Sequence, residues 1–242
     1  MSEATQVADG VYRCGTYYVN WYVVDDAGQL TIVDAGASGY WPQLDRVLEE
    51  LGRTREAIRG LVLTHGHVDH VGFAERLRVE SGTRIWVHEA DEEMTRTGKI
   101  QKTEGSLLPY LRYAFAWRLL AHLARWGPTI KKVGEVTTYR DGDRLDVPGR
   151  PLAIHVPGHS RGHCALQFEN ALFAGDALCA RNSLTGREGP QLAPKAFSVD
   201  TAQAMESLDR LPESPLLCFG HGDPWTGGTA AALTLARQVG FT

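Results

Sequence analysis

Residues 61–70 read Leu61-Val62-Leu63-Thr64-His65-Gly66-His67-Val68-Asp69-His70. The compact apolar run predicts a buried strand, and it empties into a segment carrying three imidazoles and a carboxylate. In extended backbone alternate side chains share a face, so His65 and His67 converge on one point. Asp69 and His70 are adjacent at the start of a predicted helix and aim at a second point nearby. Three histidines and an acid held together without a ligand would repel whenever protonated and would gain little from packing, so the pattern points to metal and admits a second ion.

Working outward, short apolar runs at Val11 to Cys14, Tyr18 to Val24 and Leu30 to Val33 predict hairpin strands around the turn Asp26-Ala27-Gly28. Trp41, Leu44, Val47, Leu48 and Leu51 recur on one helical face and are stopped by Gly52. A helix around Phe73 to Val79 and a strand at Arg84 to His88 follow. The second half repeats the scheme, with strands expected at Arg144 to Val147, Leu152 to Val156, Cys164 to Phe168, Ala171 to Phe173 and Leu216 to Phe219. Helices are expected near Thr201 to Leu211 and Thr229 to Val239. This alternation predicts an α/β layered fold. Without a Pro-, Gly- or Ser-rich linker, one domain over residues 1–242 is favoured.

More of the same chemistry lies just after later strands. His159 sits in Val156-Pro157-Gly158-His159-Ser160-Arg161-Gly162-His163, Asp176 in Phe173-Ala174-Gly175-Asp176, and His221 in Phe219-Gly220-His221-Gly222. A site of imidazole and carboxylate without thiolate suits zinc best and admits iron or manganese. His163 and Asp34 are either orienting partners of ligands or turn residues. His88, His122 and His155 are assigned to packing or surface.

The 242 residues carry a net charge of -4, the wrong sign for a chain that grips phosphate backbones, so nucleic acid is not an expected partner. With 43% hydrophobic and 22% charged residues a disordered or fibrous chain is excluded. Cys14, Cys164, Cys179 and Cys218 form no C-x-x-C pair and read as buried thiols in a reducing compartment. The first ten residues lack the form of a secretory signal, and the apolar region Leu107 to Trp126 is broken by Arg112, Arg118, His122 and Arg125. A cytoplasmic protein with no membrane partner is expected.

Gln101 to Lys132 differs in character. Lys102, Arg112, Arg118, Arg125, Lys131 and Lys132 face a single acid, Glu104, and Tyr110, Tyr113, Phe115, Trp117 and Trp126 are interleaved with leucines at mostly helical spacing. One or two amphipathic helices are predicted, serving as core cover, as a homodimer contact or as a substrate lid; the three uses stay open.

The order Asp34 in Val-Asp-Ala-Gly, His65 to His70, His159, Asp176, His221 resembles the metallo-β-lactamase fold superfamily, in its His-x-His-x-Asp-His hydrolase branch with glyoxalase II-like and lactonase-like members. The resemblance covers essentially the whole chain and implies an αββα sandwich of two mixed sheets. It further implies one metal on His65, His67 and His159, a second on Asp69, His70 and His221, Asp176 bridging, and Asp34 in support. Only 21 residues follow His221, so strict hydroxyacylglutathione hydrolysis is not expected. Antibiotic hydrolysis is not the expected native role either.

The resulting expectation is a dinuclear metal hydrolase, with Asp69 and Asp176 as catalytic carboxylates, cleaving an ester, thioester or lactone of a small-molecule substrate. Metals sharing Asp176 would acidify a bridging water and polarise the carbonyl. Asp69 would shuttle a proton to the leaving group, and Tyr110 or Tyr113 would reach the substrate from the insert. The turn-rich segment Ala180 to Phe197 is expected to wall the pocket. Phosphodiester hydrolysis and a mononuclear iron thiol or persulfide oxygenase are the alternatives.

Overall fold

The computed structural model describes residues 3–127, 132–169 and 171–241. Residues 128–131 of the insert, Lys131 among them, lie outside the described residues.

Seven strands form the first sheet in chain order: β1 (Thr5–Ala8), β2 (Val11–Gly15), β3 (Asn20–Asp26), β4 (Gln29–Val33), β5 (Ile58–Val62), β6 (Arg84–His88) and β7 (Thr137–Tyr139). β1 to β4 pair antiparallel through tight turns, and β4 to β7 pair parallel because helices intervene. The second sheet runs β13 (Leu217–Phe219), β10 (Leu172–Gly175), β9 (Cys164–Gln167), β8 (Leu152–His155), with only β10 and β13 parallel. A two-stranded ribbon, β11 (Cys179–Arg181) and β12 (Glu188–Gln191), lies beside it in sequence.

The period of two along the strands sorts side chains into layers. On β3, Tyr22 and Val24 face inward to Val33, Val62, Leu166, Phe173 and Cys218, forming the interior between the sheets. Trp21 and Val23 point the other way, to Leu44, Val47 and Leu48 of α1 (Trp41–Glu50) and Leu77 of α3 (Ala74–Ser81). Leu172, Leu217 and Phe219 pack outward on Ala204 of α6 (Thr201–Ser207) and on Ala232 and Ala236 of α7 (Thr229–Val239). Helix, sheet, sheet, helix is the resulting order, as the αββα expectation required. Among the described residues no helix is long and apolar enough to cross a membrane.

Several boundaries differ from expectation. Arg144 to Val147 is a turn-rich stretch with one bridge, Arg144 to Leu152, rather than a strand. Its alternation is real, since Leu145 and Val147 are buried, but Pro148 lacks a ladder donor and Gly149 and Arg150 turn the chain at positive φ. The helix expected to Leu211 ends at Ser207 and tightens into a 3₁₀ turn over Leu208–Arg210. β1, β7, β11, β12 and the short helix α4 (Glu92–Thr97) carry too little pattern to be read in advance. Among its described residues the insert folds as a 3₁₀ turn at Leu108–Arg112 and one helix, α5 (Ala114–Trp126), whose inward residues Ala116 and Leu119 pack on Leu184 and Ala196.

Candidate metal centre

The histidine motif follows β5, whose backbone is buried on both faces of the sheet, so its exit point is fixed. His67 is the extended residue capping α2 (Val68–Val71), and its carbonyl accepts the amide of His70 at 2.9 Å, turning Asp69 and His70 back toward it. The loops after β8, β10 and β13 bring His159, Asp176 and His221 to the same edge of the sandwich. The imidazoles crowd there, with ring centroids of His65 at 4.7 Å from His67, 4.8 Å from His159 and 4.2 Å from His70. Asp176 reaches His221 Nε2 at 3.1 Å, His159 Nε2 at 3.6 Å and His70 Nε2 at 3.7 Å, and Asp69 stands 3.6 Å from His221 Nε2. Potential donor atoms converge in three overlapping groups: His65, His67 and His159; His65, His70 and Asp176; Asp69, His70 and His221.

Four of the five imidazoles are held from behind through Nδ1. Thr64 Oγ1 lies 3.0 Å from that of His65, Asp34 Oδ2 2.8 Å from that of His70, Ser198 Oγ 3.3 Å from that of His159, and the Tyr18 carbonyl 2.6 Å from that of His221. Each contact spends Nδ1 and turns Nε2 toward the others, the arrangement in which an imidazole offers one lone pair to a metal and anchors its far side. His67 is reversed, with Nδ1 facing His159 Nε2 at 2.9 Å.

Asp34 is built for this work. Its backbone sits at φ 60, a left-handed conformation costly for most residues and tolerated by Asp, and its carboxylate accepts both the amide and the hydroxyl of Thr64 as well as His70. Gly220 is needed for room, because a Cβ there would meet Asp176 Oδ1 at 2.2 Å and His70 Cε1 at 2.5 Å.

Electrostatics split the cluster. Burial, reinforced by neighbouring imidazoles, holds His65 well below the ordinary histidine range, and His159 is held low chiefly by burial and His67. Burial likewise lowers His67. Burial thus favours the neutral form of these three rings, the form in which an imidazole can offer a lone pair to a metal. Burial also opposes charge on His70, but Asp34, Asp176 and Asp69 outweigh it and push the group up to about 10. His221 is raised in the same way, against burial, by Asp176. Asp176 is held well below the carboxylate range, the cost of its burial being overcome by His221 and His70.

The donor set fits a metal on a direct observation. His65 Nε2, His70 Nε2 and Asp176 Oδ1 are fully buried, point into the cluster and have no hydrogen-bond partner, a cost the fold would not carry in a site meant to stay empty. None of the donor groups includes a cysteine among the described residues; Cys14, Cys164, Cys179 and Cys218 are free and buried.

A model of the metallo-beta-lactamase superfamily matches residues 14–221. The chain belongs to that superfamily. Among similar proteins, an uncharacterized protein of Mycobacterium tuberculosis is 29% identical over 232 residues, covering 90% of each chain. A hydroxyacylglutathione hydrolase of Cereibacter sphaeroides is 26% identical over 204 residues, spanning 83% of this chain and 61% of its own length. A metallo-beta-lactamase family protein from Thermus thermophilus superposes with a TM-score of 0.69 at 24% identity, over 97% of this chain and 80% of its own.

Against the metallo-beta-lactamase framework the remaining expected residues fall into place unevenly. His163 lies behind the cluster, where its Nε2 accepts the amide of Asp176 at 2.9 Å, and burial pushes it down to about 3. His88 and His155 stack on each other at 4.3 Å, and His122 meets the Tyr40 hydroxyl at 2.6 Å, so these three are packing residues. Tyr110 and Tyr113 do not reach the cluster. They line a separate depression with Arg112 and Arg187, because the 3₁₀ turn at 108–112 carries them past the cavity before α5 begins.

The cavity over the histidines, about 470 Å³, is walled instead by Val68, Ile100, Leu119, Leu123, Ala196 and Phe197, with Lys102, Thr103 and Ser183 among its polar residues. Ser183, Ala196 and Phe197 come from the turn-rich segment after β11, which does form a wall.

Asp91, absent from the expected set, is fully buried behind the two histidine loops and accepts from Gly66 N at 3.1 Å, Gly162 N at 2.8 Å, Ser160 Oγ at 2.5 Å and Gln101 Nε2 at 2.8 Å. Nothing in its run His-Glu-Ala-Asp-Glu-Glu separates it from neighbouring surface acids.

Proposed function

We propose that the protein is a hydrolase that binds two divalent ions, zinc first among them, and opens an ester, thioester or lactone carbonyl of a small-molecule substrate. The observation that carries the reading is the set of buried imidazole nitrogens pinned through Nδ1 and turned inward around an unpaired carboxylate oxygen. His65, His67 and His159 would hold one ion, Asp69, His70 and His221 the other, with Asp176 shared. When bound, the ions supply Lewis acidity and a water that ionises near neutral pH.

The chain's own groups do the rest. Asp176, fixed by the His163 contact to its amide and flanked by His159 and His221, is held well below the ordinary carboxylate range and groups with His65 of one set and His70 of the other, so it is the residue that would be shared. Asp69 is the more exposed carboxylate and lines the cavity, so it is the group placed to take a proton from the attacking water and return it to the leaving oxygen or sulfur. A 26% identical hydroxyacylglutathione hydrolase supports carbonyl hydrolysis as the reaction class, and a 26% identical probable metallo-hydrolase of Bacillus subtilis supports metal-dependent hydrolysis in general.

The test is turnover of matched esters, thioesters and lactones by metal-loaded protein, alongside a bis-nitrophenyl phosphate and oxygen uptake with thiols or persulfides. The expected result is fastest turnover on a carbonyl substrate, lowered on the order of a thousandfold in Asp176→Ala. Faster phosphodiester cleavage, or oxygen consumption without hydrolysis, would overturn the reading.

A further inference from the structure

The insert is basic within a chain of net charge -4, but its cations do not share one destination. Arg112 turns to the depression of Tyr110 and Tyr113, where its Nη2 donates to the Tyr113 hydroxyl at 2.9 Å. Arg118 and Arg125 are exposed on α5, and Arg125 lies over Trp126. Among the described residues of the insert, Lys102 alone brings a positive charge to the cavity over the histidines.

Lys102 is presented on a strap fastened at both ends. Before it, Gln101 donates to Asp91 at 2.8 Å and accepts the Arg161 amide at 2.9 Å, which ties the strap to the loop of His159. After it, the Glu104 amide donates to Ser198 O at 2.8 Å, the Glu104 carboxylate accepts the amide and hydroxyl of Thr201, and Gly105 N donates to Lys195 O. Glu104 is also the acid that faces Lys195 at 3.7 Å. Lys102 pairs with no carboxylate among the described residues. The carboxylates of the cavity lining, Asp69 and Asp176, are committed at its floor beside His67, His159 and His221, and between floor and strap the wall is mainly apolar, broken by Thr103 and Ser183.

An exposed cation with no carboxylate partner among the described residues, carried by a fastened strap at the rim of a mainly apolar cavity, is complementary to an apolar ligand that ends in an anion. We infer that the substrate arm reaching away from the metal centre is apolar along its length and ends in an anion, a carboxylate or a phosphate-type group, that pairs with Lys102. This rests on the carbonyl-hydrolase reading above and makes Lys102 the residue that decides between charged and neutral substrates. Lysine suits the task as a point charge on a flexible stem, accepting either anion without demanding a planar fork.

The test compares two matched pairs on metal-loaded protein. One is the mono-4-nitrophenyl ester of octanedioic acid against 4-nitrophenyl octanoate, the other S-octanoyl-6-mercaptohexanoate against its methyl ester. An 8-phosphonooctanoyl ester separates phosphate-type anions from carboxylates. In at least one pair the charged member is favoured in kcat/KM by about tenfold or more, the preference shrinks as ionic strength rises, it is lost in Lys102→Glu, and Lys102→Arg restores it.

Binding provides a readout apart from turnover. By calorimetry, octanedioic acid monoamide binds about tenfold more tightly than octanamide, and Lys102→Glu removes the difference. Equal rates within both pairs, unchanged in Lys102→Glu, with equal amide affinities, would overturn the inference and leave the hydrolase reading intact. If no member of either pair is turned over, the hydrolase reading is decided by the wider ester, thioester and lactone panel, and the calorimetric comparison alone decides the anion preference, equal affinities overturning it.

Discussion

At the floor of the cavity the histidines are braced: Thr64, Asp34, Ser198 and the Tyr18 carbonyl hold four of them from behind, and Asp91 clamps the two loops that carry His65 to His70 and His159. At the wall, α5 rests on a small apolar cluster around Ala116 and Leu119 and on the His122 contact to Tyr40, while Leu108 and Trp117 remain 75% and 56% exposed. The floor is fixed by buried polar networks, in which any member left unpaired is costly. The wall is fixed by modest packing that tolerates change. Chemistry is thereby assigned to the part of the molecule that cannot vary cheaply, and substrate choice to the part that can.

The comparison predicts graded effects. Asp34→Asn keeps a residue able to adopt the left-handed backbone but removes the charge that anchors His70, so metal affinity should fall about 10- to 100-fold, measured by competition with a chromophoric chelator. An unchanged affinity would break the claim that the floor is braced.

The same variant has a pH signature in the metal-free chain. His70 is raised from an ordinary value near 6.5 to about 10, so its pairing contributes stability that is full below about pH 6.5 and lost as pH climbs through about 10. Wild type should therefore lose thermal stability on going from pH 7 to pH 10, and Asp34→Asn should show a flatter profile over that window.

A smaller effect is expected one layer further back. Asp91→Asn replaces an acceptor of hydrogen bonds from Gly66, Gly162, Ser160 and Gln101 with a group that is half donor, and should destabilise by about 1–3 kcal/mol in denaturant titration. Gln101→Ala frees the strap from Asp91 and the Arg161 amide while Asp91 keeps its bonds from Gly66, Gly162 and Ser160, and should cost about 1 kcal/mol or less, with its main effect on KM. A larger loss for Gln101→Ala than for Asp91→Asn would reverse the roles given to wall and floor.

Much of the floor was legible in the sequence because its chemistry is dense. His65 to His70 follow a strand within one short run, and His159, Asp176 and His221 each stand beside glycine after an apolar stretch. The sandwich was legible for a similar reason, since Tyr22 and Val24 against Trp21 and Val23 write both faces of a sheet into one strand. The wall was less so. Tyr110 and Tyr113 have the right chemistry and helical spacing, yet the 3₁₀ turn at 108–112 sends them to another depression. Asp91 has no sequence signal because its role comes from partners far along the chain, among them Ser160 and Gly162. Arg144 to Val147 shows the opposite failure, a true alternation in burial with the pairing prevented by Pro148 and the turn after it.

The central claim is that the braced histidines form a two-ion site, and it is tested most directly by locating the metal. Crystals of zinc-loaded protein, measured across the zinc absorption edge, should show two anomalous peaks, one among His65, His67 and His159 and one among Asp69, His70 and His221, with about two zinc per chain in solution. A single peak, or metal bound elsewhere with these residues unligated, would contradict it.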